Sequence, residues 1–316
     1  MNTPISRATH RKGKRRRKQK RNLTWLVLLS LGFITAGLLY LNRGFFTQQT
    51  KESVSTTTSS QTSSTSSEET TATTSTVSEE QGVVWEKQEN PVNLPILMYH
   101  AIHVMAPEEE ANANLIVDPT TFESHLQALQ TAGYYTVTPE EALKILTENV
   151  LPKGKKVVWL TFDDSLWDFY SNAYPVLRKY NMTATNNVIT GLTASGNAGH
   201  LTLEQLKEMK DNGMSFQGHT VNHPDLEYSS LEAQTMELQE SKSFLDNQLG
   251  QETIAIAYPA GRYSTETIRL AQESGYKLGL TTNEGAASAA NGLLTLNRVR
   301  VLPHYSPELL LQAMGE

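Results

Sequence analysis

Apolar and polar positions divide this chain into three regimes. Thr24 to Leu41 is an unbroken apolar run without a charge, just long enough to span a bilayer as a helix. From about Thr50 to Ser78 the chain is mostly Ser and Thr with a few Glu and almost nothing apolar. From Pro91 short apolar runs alternate with helical spacing. Pro95–Tyr99 reads as a buried strand ending at His100, followed by a polar loop to about Pro119. Phe122, Leu126 and Leu129 share one helical face. Tyr134–Val137 reads as a strand, and Thr138 with Glu141 forms a capping box with Pro139 at the first helical position. Val157–Phe162 is a β-branched and apolar run that stops at two carboxylates, Asp163 and Asp164, as a buried parallel strand does.

The alternation continues with a helix around 168–180, a strand over 183–189, a helix capped by Thr202 and Gln205, and a strand over 214–217. A long helix over 229–249, a strand over 253–257 and a helix over 264–274 follow. Residues 277–280 and 294–301 read as extended, and Ser306-Pro307 opens a last helix. About seven strands alternating with helices predict a parallel α/β architecture, and a barrel suits the length better than an open dinucleotide-binding sheet. No glycine-rich nucleotide fingerprint is present.

Charge turns the apolar run into a topology. Residues 1–22 carry ten Lys and Arg and no acid, so this tail is expected in the cytoplasm, 23–41 as a transmembrane signal anchor and the remainder outside the cell. Small residues such as Ala36 and Gly37 leave open a cleaved signal peptide and a secreted product. Residues 42–90 should form a disordered tether, because so few apolar groups cannot offset the ordering entropy. Removing the ten basic residues of the tail from the 27 Lys and Arg leaves 17 against 33 acidic residues, a net charge of −16. That balance argues against nucleic acid as a partner. The absence of cysteine excludes a disulfide framework, and residues 91–316 are long enough to be held by core burial alone.

In a parallel barrel the chemistry sits where strands end. The first strand delivers His100 and the central one Asp163 and Asp164. Residues 214–217 lead into His219 and His223, and 253–257 into Tyr258-Pro259-Ala260-Gly261. One carboxylate and two imidazoles are a common zinc set, and His-x-x-x-His can place both rings around one ion.

Thr161-Phe162-Asp163-Asp164, His219-Thr220-x-x-His223 and Tyr258-Pro259-x-Gly261, in that order, resemble the polysaccharide deacetylases of the NodB-homology type, carbohydrate esterase family 4. Leu94–His100 is further similar to the poly-N-acetylglucosamine deacetylase subgroup. The resemblance implies a deformed (β/α) barrel over 91–316 with one divalent metal at its mouth, zinc first and Co, Ni or Mn as alternatives. It implies Asp164, His219 and His223 as ligands, Asp163 as general base, His100 as catalytic acid and the backbone N–H of Ala260 as oxyanion donor. His304 is the alternative acid. Trp167, Tyr258 and Tyr263 stand where they could meet a sugar ring. The implied activity is metal-dependent N-deacetylation of N-acetylglucosamine residues in a bacterial cell-envelope polysaccharide: peptidoglycan, poly-β-1,6-N-acetylglucosamine or a wall glycopolymer. A carbohydrate O-acetyl esterase and a noncatalytic carbohydrate-binding relative are the alternatives.

Several positions depart from that family's pattern. Ser165 stands where glycine is common, and Ala260 where an aromatic is. The arginine that often orients the base is replaced by Ile256-Ala257-Tyr258. Arg262 could substitute, although an ordinary surface ion pair is expected of it. His103 reads as a loop histidine, and Asn186 and Asn187 interrupt an apolar strand.

Overall fold

The computed structural model describes residues 83–316. The expected basic tail and signal anchor, and most of the expected tether, lie outside the described residues. No helix among the described residues is long and apolar enough to cross a membrane.

Seven parallel strands close into a barrel. They are β2 (Ile96–Tyr99), β7 (Lys156–Phe162), β8 (Thr185–Val188), β9 (Ser215–Gly218), β10 (Ala255–Ala257), β11 (Leu278–Glu284) and β12 (Leu296–Arg300). The order runs β2-β12-β11-β10-β9-β8-β7, and pairing of β2 with β7 shuts the ring. An eighth strand, β5 (Tyr134–Thr136), joins the N-terminal half of β7, whereas β8 pairs with the C-terminal residues Thr161 and Phe162. The barrel is deformed there because β7 carries two successive neighbours. Four shorter pieces complete the strands: β3 (Ala101–Ile102) pairs with β4 (Ile116–Val117), and β1 (Trp85–Lys87) with β6 (Val150–Pro152). β1 lies within the stretch assigned to the tether.

Period-two alternation splits the core into two layers. Val157 and Trp159 of β7 join Ile96, Ala257, Leu280 and Leu296 in one apolar cluster, which fills the barrel. Val158, Leu160 and Phe162 join Leu97, Tyr99, Phe216 and Val299 in another, beneath the helices. Those helices include α1 (Pro119–Thr131), α2 (Pro139–Glu148), α3 (Tyr174–Lys179), α4 (Thr190–Ala194), α5 (Leu203–Asp211) and α6 (Leu231–Leu249). The expected capping boxes form at Thr138–Glu141 and Thr202–Gln205. The helix expected over 168–180 is a five-residue π segment, Phe169–Ala173, running into α3. The loop before Pro119 contains a 3-10 helix over Pro107–Leu115.

Candidate active site and metal centre

Asp163 and Asp164 leave β7 on either side of a chain reversal. Asp164 has φ 74° and Ser165 φ 50°, so the serine occupies the left-handed backbone that explains the usual glycine. Its angles are not ordinary, and the strain is offset locally. Ser165 Oγ accepts from Ile189 N–H at 3.3 Å and its carbonyl from Leu201 N–H at 2.8 Å. The reversal sends the two carboxylates into different surroundings.

Asp164 Oδ1 lies 3.2 Å from His219 Nε2 and 3.5 Å from His223 Nε2. Donor atoms of the three residues all fall within 4.8 Å of one another, the only such group among the described residues. His219 is buried, and its Nδ1–H donates to the Ala257 carbonyl at 2.7 Å, which leaves the Nε2 lone pair facing Asp164. One carboxylate and two imidazole nitrogens converging in this way fit a divalent transition metal.

The loop carrying both imidazoles is held from three sides. Thr220 and His223 have positive φ, 65° and 57°. Buried Glu237 of α6 accepts from Val221 N–H at 2.7 Å, Asn222 N–H at 2.9 Å and the Asn222 side-chain amide at 2.8 Å. Gly191 N–H donates to Val221 O, and a Cβ on Gly191 would stand 2.6 Å from that oxygen. His223 N–H donates to Thr220 Oγ1 at 2.9 Å.

Asp163 is gripped by Arg298, which is fully buried. The guanidinium meets both carboxylate oxygens, Nη1 to Oδ1 at 2.9 Å and Nη2 to Oδ2 at 2.7 Å. Arg298 is itself fixed by the Thr281 carbonyl at 2.8 Å and Thr161 Oγ1 at 3.2 Å. Asn187 donates to Asp163 Oδ1 at 2.7 Å. Burial alone would raise the Asp163 carboxyl, but Arg298, aided by His219 and His100, holds it well below the usual carboxylate range.

Reasoning from the sequence missed Arg298. Its signal was parity: Leu296 fills the barrel and Arg298 is two residues on, a charge on the interior face near a strand's C-terminal end. Arg262 instead pairs with Asp225 at the surface. Of the two asparagines, Asn187 reaches the mouth. Asn186 falls on the other parity, registered between Phe162 and Phe216, and neither atom of its amide has a partner.

His100 Nε2 stands 4.0 Å from Asp163 Oδ2. Burial pushes its imidazole down, against the opposing pull of Asp163 and Asp164. His304 is exposed, stacks edge-on to Tyr305 and forms no ion pair with either aspartate. In the turn Pro259–Gly261, Ala260 has φ 53°, and the turn's hydrogen bonds come from Gly261 and Arg262, not from the Ala260 N–H. A Cβ on Gly261 would meet Thr282 Oγ1 at 2.0 Å.

The three aromatics fare differently. Trp167 is 47% exposed in a cleft of about 450 Å³ that also reaches His100 and Asp164. Tyr263 is half-buried against the Tyr258 ring. Tyr258 corrects the expectation of a substrate contact: it is fully buried and its hydroxyl donates to Leu294 O at 3.1 Å. The strand end that delivers Ala260 turns the preceding tyrosine into the core between barrel and helices.

The family model for polysaccharide deacetylase matches residues 151–279, from the strand before the aspartates through the Tyr258 turn. The Bacillus subtilis protein YxkH is 42% identical over 228 residues, 72% of this chain and 78% of its own length. The chain therefore belongs to the polysaccharide deacetylases, in the NodB-homology class, as a hydrolase acting on amide bonds. Among solved structures, the Streptococcus pyogenes deacetylase PplD in complex with acetate is 63% identical, with a TM-score of 0.70 over 72% of this chain and 100% of that one. The poly-β-1,6-N-acetyl-D-glucosamine N-deacetylase of Staphylococcus epidermidis is 30% identical over 187 residues, which span 55% of this chain and 64% of that relative. Deacetylases of this class generally use a divalent metal, and the Asp164, His219 and His223 donors fit one.

Proposed function

We propose that this chain removes acetyl groups from N-acetylglucosamine residues of a bacterial cell-envelope polysaccharide, working outside the cell from an N-terminal membrane anchor. One observation carries the reading: the Asp164–His219–His223 donor set stands beside a second carboxylate, Asp163, that Arg298 keeps ionised, with His100 next to it. Peptidoglycan, poly-β-1,6-N-acetylglucosamine and a wall glycopolymer are the substrates in view. The staphylococcal relative, by its name, acts on the second of these.

A divalent ion on these donors, zinc in our reading, would acidify water and polarise the acetamide carbonyl. The chain's own groups do the rest. Asp163 accepts the proton of the attacking water, and since Arg298 makes it a weak base, it needs water already acidified. The Ala260 N–H is the oxyanion donor. His100 protonates the departing amine, and an imidazole that burial makes readier to lose its proton is the stronger acid for that step.

The test is acetate and free-amine release from each polymer, with zinc and with chelator. Matched, metal-dependent release that disappears in Asp163→Asn supports the reading. Acetate without amine would instead make the protein an O-acetyl esterase, and binding without acetate from metal-loaded protein a noncatalytic relative. Loss of activity in His304→Ala but not in His100→Ala would move the acid to the later histidine. Protease accessibility of the catalytic domain on intact cells tests the topology.

A further inference from the structure

His103, expected as an ordinary loop histidine, is locked at both ring nitrogens. Nδ1 bonds Asp168 Oδ2 at 2.6 Å, and Nε2 lies 3.2 Å from both oxygens of Glu109. Each carboxylate is anchored in turn: Asp168 Oδ2 accepts Ile102 N–H at 2.9 Å, and Glu109 Oε2 accepts Ala106 N–H at 2.8 Å. Asp168 is buried, with side-chain exposure of 1%. Burial opposes a charge on the His103 ring, but the hydrogen bonds and charges of Asp168 and Glu109 raise its pKa, while burial also raises the Asp168 carboxyl, so the three groups share protons across short contacts.

This assembly supports one indole. The ring of Trp167 lies nearly parallel to that of His103, 16° between planes and 6.3 Å between centroids. The Trp167 backbone is pinned by its N–H to Gly199 O at 3.2 Å. Yet the tryptophan is 47% exposed, and Val104 and Met105, which follow His103 in the chain, are 72% and 43% exposed. A buried carboxylate, a fixed imidazole and a second carboxylate thus hold an aromatic surface open to solvent rather than sealing a core. The same cleft is edged by Asn112, Glu109 and His200, and it runs to His100 and Asp164.

We propose that the cleft at Trp167, with His103, Asp168 and Glu109 fixing the indole in place, is a sugar subsite next to the reacting residue. It takes a neighbouring uncharged pyranose of the same chain. The proposal rests on the reading of the substrate as an N-acetylglucosamine polymer. A pyranose presents an apolar C–H face suited to a fixed indole and a rim of hydroxyls suited to the polar edge groups. Rigid support matters because an indole already in place loses no rotamer freedom on binding. His103, Asp168 and Glu109 are positioning residues and Trp167 the contact. The enzyme then prefers oligomers to monosaccharide, and the preference resides in KM.

The experiment compares the full chain with Trp167→Ala and Trp167→Tyr on N-acetylglucosamine oligomers of one to five units, β-1,4- and β-1,6-linked, reading acetate. In the native protein kcat/KM should climb between one unit and three. Trp167→Ala should lose about tenfold on the trimer and longer, entirely in KM. Trp167→Tyr should regain most of the loss, which a merely structural role would not produce. Unchanged KM at every length in Trp167→Ala overturns the subsite. If no oligomer releases acetate, the substrate reading fails by itself, and tryptophan fluorescence then judges the subsite. Quenching by the trimer that vanishes in Trp167→Tyr upholds it; equal quenching in both proteins overturns it.

Discussion

Arg298 illustrates how one residue can both stabilise the site and tune it. The buried pair with Asp163 is bidentate, so removing the cation leaves a carboxylate uncompensated in the barrel mouth. Arg298→Met should cost about 3–5 kcal/mol in urea unfolding. It should also lower kcat on the order of a hundredfold while leaving zinc affinity nearly intact, because the carboxylate it orients is not a ligand. Wild-type kcat in that variant would remove Arg298 from the mechanism. His125 makes a different case. It is buried, accepts from the Tyr99 hydroxyl at Nδ1 (3.1 Å) and donates from Nε2 to Tyr305 O (2.8 Å), a pattern that only neutral imidazole satisfies. Burial lowers its pKa despite the Tyr305 bond. The unfolded chain then binds more protons than the native one below about pH 6.5, so this contribution is complete above that pH and is lost as pH falls. Melting temperature should decline in that range, and His125→Gln should flatten the decline; an identical slope would refute the assignment.

At the scale of elements, the stretch His219–His223 after β9 sets the spacing of the two candidate imidazole ligands at its ends. Glu237 sits a helix away in sequence but accepts three hydrogen bonds from that loop, at whose two positive-φ residues the backbone would otherwise relax. Glu237→Ala should weaken zinc binding roughly 10–100-fold, measured by competition with a chromophoric chelator, and saturating metal should restore most of kcat. Unchanged affinity would mean that the loop holds itself. The β-strands carry the complementary lesson. In the folded chain alternation puts Trp159 and Asp163 of one run on the barrel side, and it likewise separates Asn187 from Asn186. It could not say that β5 would displace β8 from the lower half of β7, since this depends on which strands compete for one edge.

On the whole-molecule scale, the barrel core and the helix-side core are built without the Asp164, His219 and His223 donors, so the fold should stand without a metal there. Metal-free protein should keep its far-ultraviolet circular dichroism. Zinc at about a hundred times its Kd should add roughly 2.7 kcal/mol of stability, seen as a raised melting temperature. His223→Ala should abolish that increment, and an equal increment in the variant would place the ion elsewhere. What the sequence determined by itself was the alternation of strand and helix, the capping boxes and the order of the three motifs, because hydrophobic period and cap chemistry are local. It also marked Asp163, Asp164, His219 and His223, since each follows an apolar run that stops. Only the tertiary structure decided that Arg298 from the last strand grips Asp163, that Tyr258 turns inward and that His103 braces Trp167. Those contacts join residues far apart along the chain, and closure of the ring brings their strand ends to one mouth.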